Sequence, residues 1–167
     1  MAARRNRPWP SAVWEAAWWG VPAEAMAPTA APAVCRLFPN AGHAVVRDGG
    51  LYLLINNSIV GTKDFGNHKH NDQLGFEYHV GGVPVVVDPG SYVYTSDPAA
   101  RNLFRGTAYH NTLMVDEVEQ NEFNPEWLFR MFEKAQAEHG PFTPGDRVAY
   151  RGRHTGYSRL ESPVTHD

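Results

Sequence analysis

The residues best equipped for chemistry crowd into Asn67-His68-Lys69-His70-Asn71-Asp72, where imidazoles and acid–base groups stand together just ahead of an alternating strand pattern. In an extended segment His68 and His70 project to one face, because side chains alternate with period two along a strand. Two imidazoles on one face can share a metal, or one can ligate while the other works on a substrate. A polar surface loop with solvated histidines has the same composition, so His-x-His alone decides little.

Two further residues enlarge the set. Asp88 precedes Pro89-Gly90, and His110 opens His110-Asn111-Thr112. His70, Asp88 and His110 together make two imidazoles and one carboxylate, with a fourth position open, a mixture that suits zinc best while leaving manganese, iron and nickel open. Taken singly, Asp88 reads equally as a turn former and His110, at the entrance of a strand, as a residue hydrogen-bonded at a strand end. His43, His79, His139, His154 and His166 have no comparable neighbours in the sequence and read as structural or exposed.

The elements that must position these groups are strands. From Phe38 onward short apolar runs alternate with turn residues, which predicts an all-β body. Ala44–Arg47 and Leu51–Asn56 flank Asp48-Gly49-Gly50 and predict a first hairpin. Leu74, Phe76, Tyr78 and Val80 alternate with Gly75, Glu77 and His79, and Gly81-Gly82 then turns the chain into Val83–Val87. With that turn Val80 pairs with Val83 and, by continuing the register, Asp88 faces Gly75, at the end of the hairpin where the His68–Asp72 segment enters. Pro84 within the run predicts an edge strand or a bulge. Leu113–Val115, Val148–Tyr150 and Gly156–Leu160 read as further strands, and 126–138 fits helix and strand equally. Upstream, residues 8–20 read as a short helix or helix end, with Trp14, Trp18 and Trp19 at helical spacing, and 21–37 as an Ala/Pro-rich linker. Arg4-Arg5-Asn6-Arg7 before this run mimics an export signal, but Pro8, Pro10 and Glu15 break the pattern.

Composition narrows the function. The chain has 167 residues, a net charge of -3 and a single cysteine, Cys35. No Lys/Arg stripe tracks phosphates, so nucleic acid is not an expected partner. One cysteine excludes an intrachain disulfide and a Cys-rich zinc site. No run reaches the ~20 apolar residues of a membrane span.

The motifs Asn67–Asp72, Val86-Val87-Asp88-Pro89-Gly90 with Tyr92 and Tyr94, Arg105–Thr112, and His154–Leu160, in this order, resemble the heparinase II/III-like family of polysaccharide lyases. The resemblance runs from about Phe38 to the last residue. It implies that residues 38–167 are a carboxy-terminal antiparallel β-sandwich, incomplete at its carboxyl end, and residues 1–20 the end of the helical domain, in a protein whose larger part is an α/α toroid. It further implies His70, Asp88 and His110 as ligands of a divalent metal, usually zinc, His68 as a histidine in the catalytic cleft, and Asn67, Tyr92 and Arg105 as substrate contacts. The implied reaction is β-elimination at a uronic acid of an acidic polysaccharide: a base takes the C5 proton, the carboxylate is neutralised and the leaving O4 is protonated. The tyrosine and cleft wall that the family's toroid supplies have no counterpart in this sequence, so the chain alone is expected to be inactive. A homodimer through open strand edges is a further expectation, and the family resemblance suggests a bacterial, exported or periplasmic parent. The competing reading is a cupin-like metal enzyme or a non-catalytic carbohydrate-binding module. Cupins place a Glu a few residues after the second His, where Leu74 and Gly75 stand here.

Overall fold

The computed structural model describes residues 20, 33–61, 65–143 and 148–167. The helical segment and most of the linker expected before residue 33 lie outside the described residues. The unit spanning Ala33–Asp167 is all-β, built of antiparallel sheets with one short α-helix.

Five strands form a meander in chain order: β1 (Val34–Phe38), β2 (His43–Asp48), β3 (Leu51–Asn56), β4 (Gly75–Val80) and β5 (Val83–Val86). The sheet therefore begins at Val34, inside the stretch expected to be linker, because Val34–Phe38 finds a complete ladder partner in His43–Arg47. The first hairpin is as expected, with Asp48 opposite Leu51 across Gly49-Gly50. Gly81 and Gly82 have φ of 60° and 76°, the pair of left-handed residues that a tight two-residue hairpin turn demands. Gly42 is obligatory for another reason: at φ 73° its Cα lies against the Ser58 backbone, where any side chain would collide.

The β4–β5 register needs correction. Val80 pairs with Val83 and His79 with Pro84, but Tyr78 pairs with Val86, so Val85 is an extra residue in a bulge. The slip shifts the register by one, and the strand ends at Val86, before the expected pairing of Asp88 with Gly75 is reached. Pro84 sits on the edge strand beside that bulge, where its missing N–H leaves no ladder bond unmade.

A two-stranded sheet, β6 (Ala137–Thr143) with β7 (Ala149–His154), completes the regular β-structure. It is tied to the meander by the buried Asn57, whose amide donates to the carbonyls of Glu138 and Arg153. Two expected strands are absent. Leu113–Val115 contributes only a single bridge, Val115 to Val118, and Gly156–Leu160 is a succession of turns. The Leu113 carbonyl accepts from the Tyr157 hydroxyl rather than from a neighbouring strand. Asn71, Gln73, Gln120 and Asn121 are fully enclosed and bond one another and the surrounding backbone: Asn121 Oδ1 accepts from the N–H groups of Lys134 and Ala135, and Gln120 donates to the Gln73 carbonyl. Such a network satisfies buried backbone groups without a neighbouring strand.

The helix α1 (Pro98–Arg105) was not foreseen. Asp97 caps it by accepting from the Ala100 N–H, and Pro98 occupies its first turn. Its inward face carries Arg101 and Arg105, one helical turn apart, rather than apolar residues. A short Thr107–Tyr109 3₁₀ turn follows and ends at His110, which therefore stands at a turn exit and not at a strand entrance.

Candidate active site

The segment that carries His68 and His70 is a turn rather than an extended strand. Both histidines nevertheless line one cavity of about 350 Å³, with Lys69, Asp72, Asp88 and Ser91, and with His43, Asn56 and Glu77 from the sheet. A backbone and a side-chain bond hold this loop: the Asn71 N–H donates to the Arg105 carbonyl at the end of α1, and Lys69 Nζ donates to Ser58 Oγ at 2.9 Å. Asn111 fixes the other side, its amide donating to the carbonyls of Val87 and Phe76 and so tying His110 to the strand exit that bears Asp88.

Three of the sequence-derived residues meet here. His110 Nδ1 lies 2.6 Å from Asp88 Oδ2, and the His70 and His110 rings are 5.2 Å apart. Asp88 also accepts the Gly90 N–H at 2.8 Å, so it forms the turn and faces the site at once. Burial would raise the Asp88 carboxyl, but hydrogen bonds from His110 and the Gly90 backbone outweigh it and hold the group below the usual carboxylate range. His70 is pushed down to about 4, first by burial and then by the charges of His110 and Arg101. It is thus a neutral imidazole at pH 7. Burial pushes the Asp72 carboxyl up.

A divalent cation fits this donor set in part. Two imidazoles and a carboxylate converge, and His110 Nε2 is buried without a partner among the described residues, the kind of orphaned atom that coordination satisfies. Against this, the donors are spent on one another, and no group of three or more His, Cys, Asp or Glu among the described residues is disposed to hold an ion. His70 Nε2 instead receives Arg101 Nη1 at 2.8 Å, with Ser91 Oγ at 3.3 Å.

His68 is exposed and sits edge-on to Tyr94 and Phe129, with both ring centroids 5.7 Å away. Asn67 is exposed beside it and accepts the His68 N–H. Tyr92 is 73% exposed, stands at a left-handed φ of 54° and stacks on Phe104 at 5.0 Å. Arg105 is not at the cavity. It is enclosed under the Phe123 ring, and its guanidinium donates to Asn102 Oδ1 and to the carbonyls of Asn124, Trp127, Leu128 and Arg130. Burial and the neighbouring Arg101 draw it down to about 10, which leaves it charged at pH 7. With each of its three nitrogens bonded inside, it organises the 124–130 loop and is turned away from the cavity.

Sequence reasoning missed Arg101, Tyr94 and Phe129, which surround the two site histidines. The Asp97-Pro98 helix start with arginines at i and i+4 was the signal that could have placed Arg101 inside. His154 and His166, read as isolated, face each other with Nε2 and Nδ1 3.0 Å apart.

An antiparallel all-β unit whose histidine–carboxylate cavity is built by a strand exit, a turn and a 3₁₀ end defines the class to which this domain is compared. The family model described as heparinase II/III-like, C-terminal, matches residues 30–167, and the chain belongs to that family. Among solved structures it is similar to a heparinase III gene product (21% identity, TM-score 0.61, covering 81% of this chain and 20% of that one). It is also similar to a second heparinase III (22%, TM-score 0.57, 75% and 19%) and to the heparan sulfate lyase HepC from Pedobacter heparinus (20%, TM-score 0.59, 88% and 23%). At these identities the likeness is one of fold. The chain spans about a fifth of the length of the first of these structures. No curated protein matches it. Among the described residues no helix is long and apolar enough to cross a membrane.

Proposed function

We propose that this domain is the β-sheet part of a polysaccharide lyase that cleaves uronic-acid-containing chains by β-elimination, with His68 as the proton-transferring or charge-stabilising residue. The observation that carries the reading is the single cavity shared by His68, His70 and Asp88, backed by His110, in a heparinase II/III-like carboxy-terminal domain. C5–H is a poor acid, so elimination needs both a placed base and stabilisation of the enolate-like charge. An exposed imidazole at the cavity rim suits either role. Lys69 beside it adds a positive charge suited to an acidic sugar.

His70, Asp88 and His110 would hold a divalent cation, zinc by ligand type. Such an ion would supply fixed positive charge and lock the loop that bears His68. Asn67 and Tyr92 are the substrate contacts of this reading; Arg105 is withdrawn from it. The exposed stack of Tyr92 on Phe104 also favours a second reading, a sugar-binding role without turnover. Self-association along the β5 edge belongs to the proposal as well.

Ultraviolet absorbance of the unsaturated uronate product separates these readings. A longer protein that joins this domain to a toroid should turn over a uronate polymer and lose that turnover in His68→Ala. This chain alone, lacking the opposite wall of a cleft, should give no measurable product from heparan sulfate or alginate. Orientation is worth ~7 kcal/mol or more in such reactions. Robust turnover by the chain alone, abolished in His68→Ala, would overturn the second part.

A further inference from the structure

Arg101 is the buried group that the reading above leaves without a task. Its side chain is fully enclosed, and the rings of Tyr94 and Phe129 flank it at 5.8 and 5.9 Å. Among the described residues it joins no ion pair, and its Nε and Nη2 have no acceptor. Its one polar contact is the Nη1 donation to His70 Nε2 at 2.8 Å.

That contact fixes the state of His70. A guanidinium only donates, so Nε2 must present its lone pair and the ring's single proton must sit on Nδ1. A cation at Nε2 needs the same lone pair. A cation at Nδ1 moves the proton to Nε2, where one N–H would then point at another across 2.8 Å. Neutral His70 therefore cannot serve Arg101 and a metal ion together, whichever nitrogen ligates. The repulsion between a guanidinium and a divalent cation in a buried setting acts in the same direction.

We propose that Arg101 and a divalent cation occupy His70 alternately: Arg101 is a positioning residue that holds the imidazole in the cation-free protein and is displaced when the cation loads. The inference rests on the reading of His70 as a ligand. It gives the arginine a definite task, since without it only the longer 3.3 Å contact of Ser91 Oγ would hold the ligand geometry of His70 between loadings. It also makes the cation's apparent affinity weaker than the donor set alone would give, because loading must break a charge-assisted hydrogen bond.

The test is a calorimetric titration of chelator-stripped protein with zinc, comparing wild type, Arg101→Gln, Arg101→Lys and His70→Ala. Arg101→Gln should bind zinc roughly tenfold tighter, the change expected from removing one competing charged donor. Arg101→Lys, which keeps charge and donor, should stay near wild type. In nitrogen-detected spectra of the wild type, His70 should carry its proton on Nδ1 without zinc, and the Arg101 guanidinium signals should move on zinc addition. Equal or weaker zinc binding in a folded Arg101→Gln would overturn the proposal. So would zinc loading of the wild type that leaves the Arg101 signals in place, a readout that needs no variant to fold. Zinc binding unaffected by His70→Ala, or none in any of the four proteins, would instead refute the ligand reading, and the exchange with it.

Discussion

His68 and Arg105 come from neighbouring motifs yet do opposite work. The imidazole is exposed at a cavity and the guanidinium is spent inside on four carbonyls and one side-chain oxygen. Arg105→Met should therefore cost stability, about 3 kcal/mol or more, because it strips a set of enclosed carbonyls of their donor. Chemical denaturation measures it, and a loss under ~0.5 kcal/mol would show that water replaces the side chain. His68→Ala should leave stability nearly unchanged. The buried histidine pair predicts a pH effect. The Gly156 N–H donates to His154 Nδ1, so His154 carries its proton on Nε2 and donates to His166. Burial, and then the charge of His166, pull His154 down to about 4. Between pH 6.5 and 4 the unfolded chain binds this proton and the folded chain does not, so stability is full above about pH 6.5 and falls as the pH drops toward 4. The fall should approach about 3 kcal/mol for His154, and His154→Gln should flatten it in melting curves taken with chelator present.

At the level of elements, turn chemistry was the legible part. Gly81-Gly82 and Gly49-Gly50 punctuate clean alternation, and both hairpins follow. Asp88 was brought to the correct end of its hairpin, although the Val85 bulge shifts the register and the ladder stops at Val86, a slip that no period-two pattern can show. The helix α1 escaped because its buried face is two arginines, so no apolar stripe marks it. The strand expected at Leu113–Val115 failed because its carbonyls turn to other partners, Leu113 to the Tyr157 hydroxyl and Val115 to the Val118 N–H, contacts that leave no period in a sequence. His110 reaches Asp88 through Asn111, a tertiary contact that carries no sequence period. The turn before β2 offers a direct test of local design. Gly42→Ala forces a side chain against the Ser58 backbone at a left-handed φ and should cost about 2 kcal/mol or more in thermal or chemical unfolding. A neutral outcome would mean that the β1–β2 turn shifts freely.

On the scale of the whole molecule, the meander ends in β5, where Val83 and Val85 are about 60% exposed on an open edge. A bulge and a proline blunt such an edge without closing it. Self-association through β5 should appear in light scattering at high concentration, and Val85→Lys should abolish it; a monodisperse monomer in both would argue against an edge contact. The cavity lies apart from this question, and the account stands or falls on whether it receives an acidic sugar at His68. The most direct measurement is a titration of the chain with a defined uronate oligosaccharide while the histidine ring resonances are followed. The account predicts saturable shifts at His68 and His70, the His70 shift weakened by His68→Ala, with His154 and His166 unmoved. Silence at His68 while other histidines respond would place the sugar elsewhere and contradict it.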